Sequence, residues 1–180
     1  MKLDFIWSTQ KGLASLKPLF EFMVKKGLDT HMYHIHKLSL RNFRTIEKLS
    51  DTVVIAFDEP LKRIQKSGWT GKYIYIEHGL GAMKYYTYKY KFFHHADLLF
   101  YPGEVFKRKM SVINPTFKNG LLGGYPKIDN LLSMQINRKT LLKKYNLTSQ
   151  MPVILFAPTW GGKKNKNWGK PGEKPEKHRG

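Results

Sequence analysis

The chain has 180 residues, enough for one well-packed domain of ordinary size and too few for two large ones. Its 32 Lys and Arg residues against 13 Asp and Glu residues give a formal net charge of +19, which favours anionic partners such as phosphorylated polymers, nucleic acid or an acidic membrane surface. The absence of cysteine excludes disulfides, thiolate metal sites and thiol nucleophiles. Neither a signal peptide nor an apolar run of about 20 residues is evident. We therefore expect a cytoplasmic protein. Any membrane association would be peripheral, on the inner face of the cell membrane.

Short apolar runs alternate with helical patterns along the chain, and this alternation predicts an α/β fold with a parallel sheet covered by helices on both faces. The predicted strands are residues 3–7, 30–36, 52–57, 73–77, 96–101, 121–122 and 152–157. The predicted helices are residues 13–26, 40–49, 58–67, 104–110 and 138–145, and a tight turn is predicted over residues 123–129. In the last helix we expect Leu141 and Leu142 to be buried.

The turn after the strand at residues 73–77 carries the residues of most chemical interest. His78 follows the strand directly, at the carboxyl edge where open α/β sheets bind ligands. Gly79 and Gly81 would let the backbone approach a phosphate group, and Lys84 would supply the compensating charge. The alternative is a purely structural turn.

Histidines elsewhere in the chain do not predict a metal site. His31, His34 and His36 alternate along a predicted strand, but no carboxylate lies at a helpful spacing and basic neighbours oppose a cation. We expect neither a metal nor another cofactor. His94 and His95 point in different directions, which favours structural or surface roles.

A run of tyrosine, lysine and phenylalanine at residues 84–93 has three interpretations. Its aromatic side chains could stack on bases while the lysines hold phosphates, it could rest on an anionic membrane, or it could be a helix with its tyrosines packed inward. Nucleic acid is disfavoured because no known nucleic-acid-binding motif accompanies the run. The chain also lacks a phosphate-loop motif, a dinucleotide glycine fingerprint and a Gly-x-Ser-x-Gly elbow, which disfavours common kinases, dehydrogenases and hydrolases.

Four segments, taken together and in order, resemble one family. They are Glu77-His78-Gly79, the Ala-Asp-Leu-Leu of residues 96–99, the Gly-Tyr-Pro-Lys-Ile-Asp of residues 124–129, and the apolar strand of residues 153–160 that ends Ala-Pro-Thr-Trp. The chain is similar in these segments to the CDP-glycerol glycerophosphotransferases, the teichoic-acid primases and polymerases of Gram-positive bacteria. Lys127 stands where the family usually has Arg.

The resemblance implies a GT-B architecture, in which two Rossmann-like domains enclose the active site. Residues 1–150 would be the acceptor-side N-terminal domain, residues 151–160 the first strand of a second domain, and residues 161–180 a basic disordered tail. His78 matches the histidine proposed as general base, and Gly79 and Lys84 are our candidates for acceptor binding. The residues that match the family near the domain junction are Gly124, Tyr125, Pro126, Asp129, Thr159 and Trp160.

The implied activity is transfer of glycerol phosphate from CDP-glycerol to a teichoic-acid-like or other surface-polymer acceptor, with a phosphorylated polymer or a lipid-linked acceptor as partner. Because the resemblance covers residues 1–160 and the rest of the second domain has no counterpart, we expect a truncated transferase that is inactive alone and active when the second domain is supplied. The alternatives are another GT-B glycosyltransferase that uses a nucleotide sugar, or a basic module that binds anionic membranes or nucleic acid.

Overall fold

The computed structural model describes residues 2–36, 44–81, 87–133, 135, 137–148 and 152–154. The chain forms two compact units, Met1–Met134 and Gln135–Gly180. Three residues of interest, Lys84, Thr159 and Trp160, and the tail at residues 161–180 lie outside the described residues. The domain limits at residues 150 and 160 stay predictions.

The first unit contains one sheet of six parallel strands. The strands are β1 (Leu3–Trp7), β2 (Thr30–His34), β3 (Thr52–Ile55), β4 (Lys72–Ile76), β5 (Leu98–Tyr101) and β6 (Gly120–Leu122). Their order in the sheet is β2-β1-β3-β4-β5-β6. The predicted Rossmann-like α/β fold is therefore confirmed, with β1 and β3 adjacent at the point where the strand order reverses.

Helices cover both faces of this sheet. In the first unit they are α1 (Gln10–Lys25), α2 (Asp58–Lys66), α3 (Lys91–His94), α4 (Glu104–Ile113) and α5 (Pro126–Ser133), and the second unit contains α6 (Arg138–Lys144). Helix α1 packs on one face through an apolar cluster, while α2, α3 and α4 contribute to a second cluster on the other face. Helix α5 packs against α1.

Alternation of side chains along the buried strands produces the two apolar clusters. In β3, Val53 and Ile55 join one cluster while Val54 joins the other. Tyr73 and Tyr75 in β4 belong to the same cluster as Val53 and Ile55. Successive side chains of a strand point to opposite faces of the sheet. A strand covered on both faces is therefore apolar at every position, which is the pattern from which these strands were predicted.

Three local predictions are wrong. The tight turn predicted over residues 123–129 is instead the short approach to helix α5, which begins at Pro126 and contains Asp129, because proline is well suited to the first turn of a helix. Leu142 is buried as predicted, but Leu141 is 46% exposed. Residues 152–154, the described part of the last predicted strand, form no strand. Among the helices in the described part of the chain, none is long and apolar enough to cross a membrane.

Candidate active site

A pocket of about 700 Å³ lies at the carboxyl edge of the sheet. It is bounded by the residues that follow β3 and β4 and by the first turn of α1. His78 and Gly79, both predicted from the sequence as site residues, line it. The pocket therefore occupies the edge, next to the reversal of strand order, where parallel sheets bind ligands.

The imidazole of His78 is held by the neighbouring strand. Its Nδ1 lies 2.9 Å from the carbonyl oxygen of Ala56, just after β3. The ring also stacks on Phe57, with 3.9 Å between the ring centroids. Because a carbonyl oxygen only accepts, Nδ1 carries the hydrogen, and a neutral imidazole then has its basic lone pair at Nε2. Two consecutive residues after β3 thus fix both the plane and the tautomer of His78.

Tyr75 connects the core of the sheet to this imidazole. Its hydroxyl oxygen lies 3.3 Å from Nδ1 of His78. The Tyr75 side chain is almost fully buried, and burial together with nearby Glu77 raises the pKa of its hydroxyl. A neutral Tyr75 hydroxyl therefore lies beside His78 throughout the physiological pH range.

Glu77 is a buried carboxyl group in the wall of the same pocket, only 5% exposed. Burial raises its pKa to about 7, while the nearby hydroxyls of Tyr88 and Tyr75 and the backbone N–H of His78 moderate that rise. Within the described part of the chain, Oε1 of Glu77 and the Tyr88 hydroxyl complete no well-aligned hydrogen bond. The hydroxyls are thus close enough to affect the carboxyl group without fully satisfying it.

Tyr88 has an unusual backbone conformation. Its φ angle is +65°, in the left-handed region that bulky residues rarely adopt, and its side chain is fully buried against Phe93 and Phe106. Such a conformation costs about 1–3 kcal/mol and persists only where the surrounding packing enforces it. The aromatic core therefore holds the Tyr88 hydroxyl near Glu77 at an energetic cost.

The segment of residues 124–129 meets the His78 turn directly. The hydroxyl of Tyr125 donates a 3.0 Å hydrogen bond to the backbone carbonyl oxygen of His78. Gly124 precedes it with a φ angle of +73°, a conformation that favours glycine. Pro126 then begins α5 and Asp129 lies in its first turn. Two of the sequence segments singled out above are thus brought together, through Tyr125 and His78.

Two lysines that were not predicted to be site residues border the pocket. Lys11 lies in the first turn of α1, and Lys62 of α2 forms an ion pair of 2.5 Å with Asp58. Lys11 follows β1 and could have been found by noting that the β1 and β4 turns meet at one edge of a parallel sheet. Phe57 could have been found in the same way, because it follows β3.

The other histidines lie away from this pocket. His34 stacks on Trp7 and on His36, and His31 lies 3.5 Å from the buried carboxylate of Asp4. No group of three or more His, Asp or Glu side chains in the described ranges is arranged to hold a metal ion. Aromatic stacking thus accounts for the placement of His34.

The tyrosine and lysine run does not form one amphipathic helix in its described part. Residues 87–90 form a turn, and only Lys91–His94 are helical. Tyr88 and Phe93 are buried, whereas Tyr90 is 59% exposed at the border of the pocket. The prediction of inward-packed tyrosines is therefore correct for Tyr88 and wrong for Tyr90.

The fold and the pocket define an α/β Rossmann-like domain with a histidine at the carboxyl edge of its sheet. The sequence profile of the family described as CDP-glycerol:poly(glycerophosphate) glycerophosphotransferase matches residues 3–176. The chain belongs to this family, and the fold is that expected for the N-terminal half of a GT-B protein. A search of curated proteins finds no match.

Proposed function

We propose that this chain carries the acceptor side of a glycerophosphotransferase reaction, in which glycerol phosphate passes from CDP-glycerol to a surface-polymer acceptor such as a teichoic acid. Membership of the family supports a glycerophosphotransferase type of activity. The observation that carries the proposal is the hydrogen bond from Nδ1 of His78 to the Ala56 carbonyl oxygen, which leaves Nε2 as the basic nitrogen of a histidine that lines the pocket. The CDP-glycerol donor and the polymer acceptor belong to the proposal.

His78 acts as general base in this scheme. Its Nε2 takes the proton from an acceptor hydroxyl as that oxygen forms a bond to the β-phosphorus of CDP-glycerol. The bond between the β-phosphorus and the oxygen bridging to the α-phosphate breaks, and CMP leaves with both bonding electrons. The products are the extended polymer, CMP and one proton, which His78 returns to solvent.

Charge around the pocket supports an anionic acceptor. Lys11 adds a cation to a pocket wall that also includes the open backbone at Gly79. Among the described residues, and apart from its chain neighbours, a β-carbon at Gly79 would meet no atom within 4 Å, which supports approach of a phosphate group to this backbone. We propose that Lys11 and Gly79 hold the phosphate next to the attacking hydroxyl, and we retain Lys84 as a proposed acceptor-binding residue from the sequence.

The test is CMP release from CDP-glycerol in the presence of a glycerol-phosphate-terminated acceptor. It is measured for the chain by itself and for the chain joined to the donor-binding half of a family transferase, because GT-B resemblance assigns the donor to a second domain. His78→Ala should lower the rate by at least about a hundredfold, the usual contribution of a general base. His95→Ala replaces an exposed histidine outside the pocket and should leave the rate unchanged.

Two outcomes would contradict the proposal. Full turnover in His78→Ala would remove the general base from the scheme. Failure of both wild-type preparations to release CMP would contradict glycerol phosphate transfer by this chain.

We also propose that the protein works at an anionic membrane face, where a lipid-linked acceptor would be found. The net charge of +19 supports this location because it attracts the chain to anionic lipid. Sedimentation with phosphatidylglycerol vesicles should be strong at about 0.05 M salt and weak at about 0.5 M salt, since screening shortens the reach of the charges. Equal sedimentation with phosphatidylcholine vesicles would contradict it.

A further inference from the structure

Glu77 has no role in the scheme above, although it combines burial, incomplete hydrogen bonding and a place next to the proposed base. Its Oε1 has essentially no accessible surface. A bound acceptor therefore does not touch this oxygen without displacing protein atoms. Any contribution of this oxygen to the reaction must pass through its neighbours.

The neighbour that connects Glu77 to the base is Tyr75. Its hydroxyl lies beside the Glu77 carboxyl group and 3.3 Å from Nδ1 of His78. In the tautomer fixed by Ala56, Nδ1–H can be shared between the Ala56 carbonyl oxygen and the Tyr75 oxygen. The Tyr75 O–H then remains available to the nearby carboxylate. The Tyr75 hydroxyl thus connects the Glu77 carboxylate to the His78 imidazole.

We propose that Glu77 is a positioning residue for His78, whose carboxylate stabilises, through the Tyr75 hydroxyl, the imidazolium that forms when His78 takes a proton. This inference rests on the proposed function. The proton passes from the acceptor hydroxyl to Nε2, while Nδ1–H and the Tyr75 O–H stay in place. The step uses the ionised form of Glu77, which stays ionised while His78 carries the proton, and the proton leaves Nε2 for solvent after CMP departs.

Burial of Glu77 makes this coupling strong. Opposite charges a few ångströms apart interact more strongly where water is excluded. Burial leaves the ionised form of Glu77 poorly solvated and raises its pKa, so an imidazolium nearby stabilises an otherwise costly anion. Tyr88, strained and buried, adds a second hydroxyl near the carboxyl group.

Several other titratable or charged groups face this pair. They are Tyr88, Tyr125 and Asp58, together with the pocket lysines Lys11 and Lys62. Asp58 and Lys62 form an ion pair, so their charges largely cancel at His78. Burial and then Glu77 raise the pKa of Tyr125, which keeps that hydroxyl neutral. Among the described residues that line the pocket, Glu77 is the buried carboxylate.

The experiment is an NMR titration of the His78 imidazole in the full chain, with the resonance assigned by its loss in His78→Gln. The wild-type curve should be broad, because Glu77 and His78 titrate as a coupled pair. In Glu77→Gln the His78 curve should become a single step with a midpoint about one pH unit lower. Glu104→Gln, which removes an exposed carboxylate outside the pocket, should leave the curve unchanged.

A second variant tests the connecting hydroxyl and covers the case in which Glu77→Gln does not fold. Tyr75→Phe keeps the buried ring and should lower the His78 midpoint in the same direction. The double variant should show little further shift, because both changes interrupt one interaction. An unchanged His78 midpoint in folded Glu77→Gln or Tyr75→Phe would overturn the proposal.

The titration requires no turnover, so its outcome is separate from that of the proposed function. Coupled titration in a protein that retains full CMP release without His78 would contradict the general-base role alone. Uncoupled titration in a protein that needs His78 for CMP release would contradict the role of Glu77 alone.

Discussion

The hydroxyl of Tyr125 donates a hydrogen bond of 3.0 Å to the backbone carbonyl oxygen of His78, across 47 positions of the sequence. The bond joins the approach to α5 to the turn after β4. Because the accepting group is the backbone of the proposed base itself, we expect movement of Tyr125 to change where the imidazole lies. The two segments are therefore in direct contact at the His78 turn.

Removal of this hydroxyl should displace His78 with little effect on the fold. For Tyr125→Phe we expect the free energy of unfolding to fall by about 1 kcal/mol, a typical net value for one hydrogen bond. We expect CMP release to slow by about tenfold or more, since small misplacements of a reacting group have large effects. Urea denaturation and the transfer assay measure the two quantities.

Tyr145→Phe is the matched control, because Tyr145 is 61% exposed and lies in the second unit. A Tyr125→Phe protein with wild-type turnover would show that this hydrogen bond has no part in placing the base.

A methyl group at Gly79 should affect ligand binding more than stability. In the described part of the chain, no atom beyond the two neighbouring residues lies within 4 Å of the added β-carbon, and the backbone is not in the left-handed region. The free energy of unfolding should therefore change by less than about 0.5 kcal/mol. If an acceptor phosphate approaches the backbone here, the KM for the acceptor should rise several-fold in Gly79→Ala.

Gly103→Ala provides a close control, because its β-carbon also meets no atom of the other described residues within 4 Å and its φ of −179° suits any residue. Equal KM values for the two variants would argue against phosphate contact at Gly79.

The buried carboxyl of Glu77 should make stability depend on pH. Its pKa rises from 4.5 to about 7 on folding, so the folded state favours the protonated form. Stability contributed by this group is complete below pH 4.5 and is lost as the pH rises to about 7. Between pH 5 and pH 8 the wild type should lose roughly 2 to 3 kcal/mol relative to Glu77→Gln, which does not titrate.

Urea denaturation of both proteins across this pH range measures the difference between their free energies of unfolding. The contributions of other titrating groups cancel in this difference. A constant difference from pH 5 to pH 8 would mean that Glu77 ionises in the folded protein as readily as in water.

The lysine at the start of α1 should contribute to acceptor affinity through its charge. Lys11→Gln should raise the KM for a phosphorylated acceptor several-fold, and the effect should shrink at high salt because the side chain is exposed. Lys17→Gln is the control on the same helix, since Lys17 lies outside the pocket and pairs with Glu21 at 3.5 Å. Steady-state kinetics at two salt concentrations would separate the variants, and equal KM values would exclude Lys11 from the phosphate site.

The sheet could be predicted from the sequence because parallel strands buried on both faces require continuous apolar runs, as at residues 52–55. The start of α5 was missed because a proline after two glycines also fits a turn, and only packing against α1 decides between them. The exposure of Tyr90 could not be predicted, because the run at residues 84–93 left three interpretations open and the fold decides which of its tyrosines border the pocket.

Within the site, His78 and Gly79 could be predicted because a strand end followed by His-Gly has a known position in such folds. The contacts of His78 with Phe57 and Tyr125 could not, because they depend on which strands are neighbours and on where a distant loop returns. The raised pKa of Glu77 could not be predicted from the sequence either, because it is caused by burial in the assembled core.

The imidazole of His78 is oriented by a main-chain oxygen of residue 56, and every amino acid supplies that same oxygen. Relatives could therefore carry other side chains at this position and keep an identically oriented base, provided that β3 and β4 stay paired. This contact is preserved by the pairing of two strands and does not depend on the identity of residue 56. A comparison of sequences alone would overlook it, and a substitution scan of residue 56 would report only how well each side chain packs.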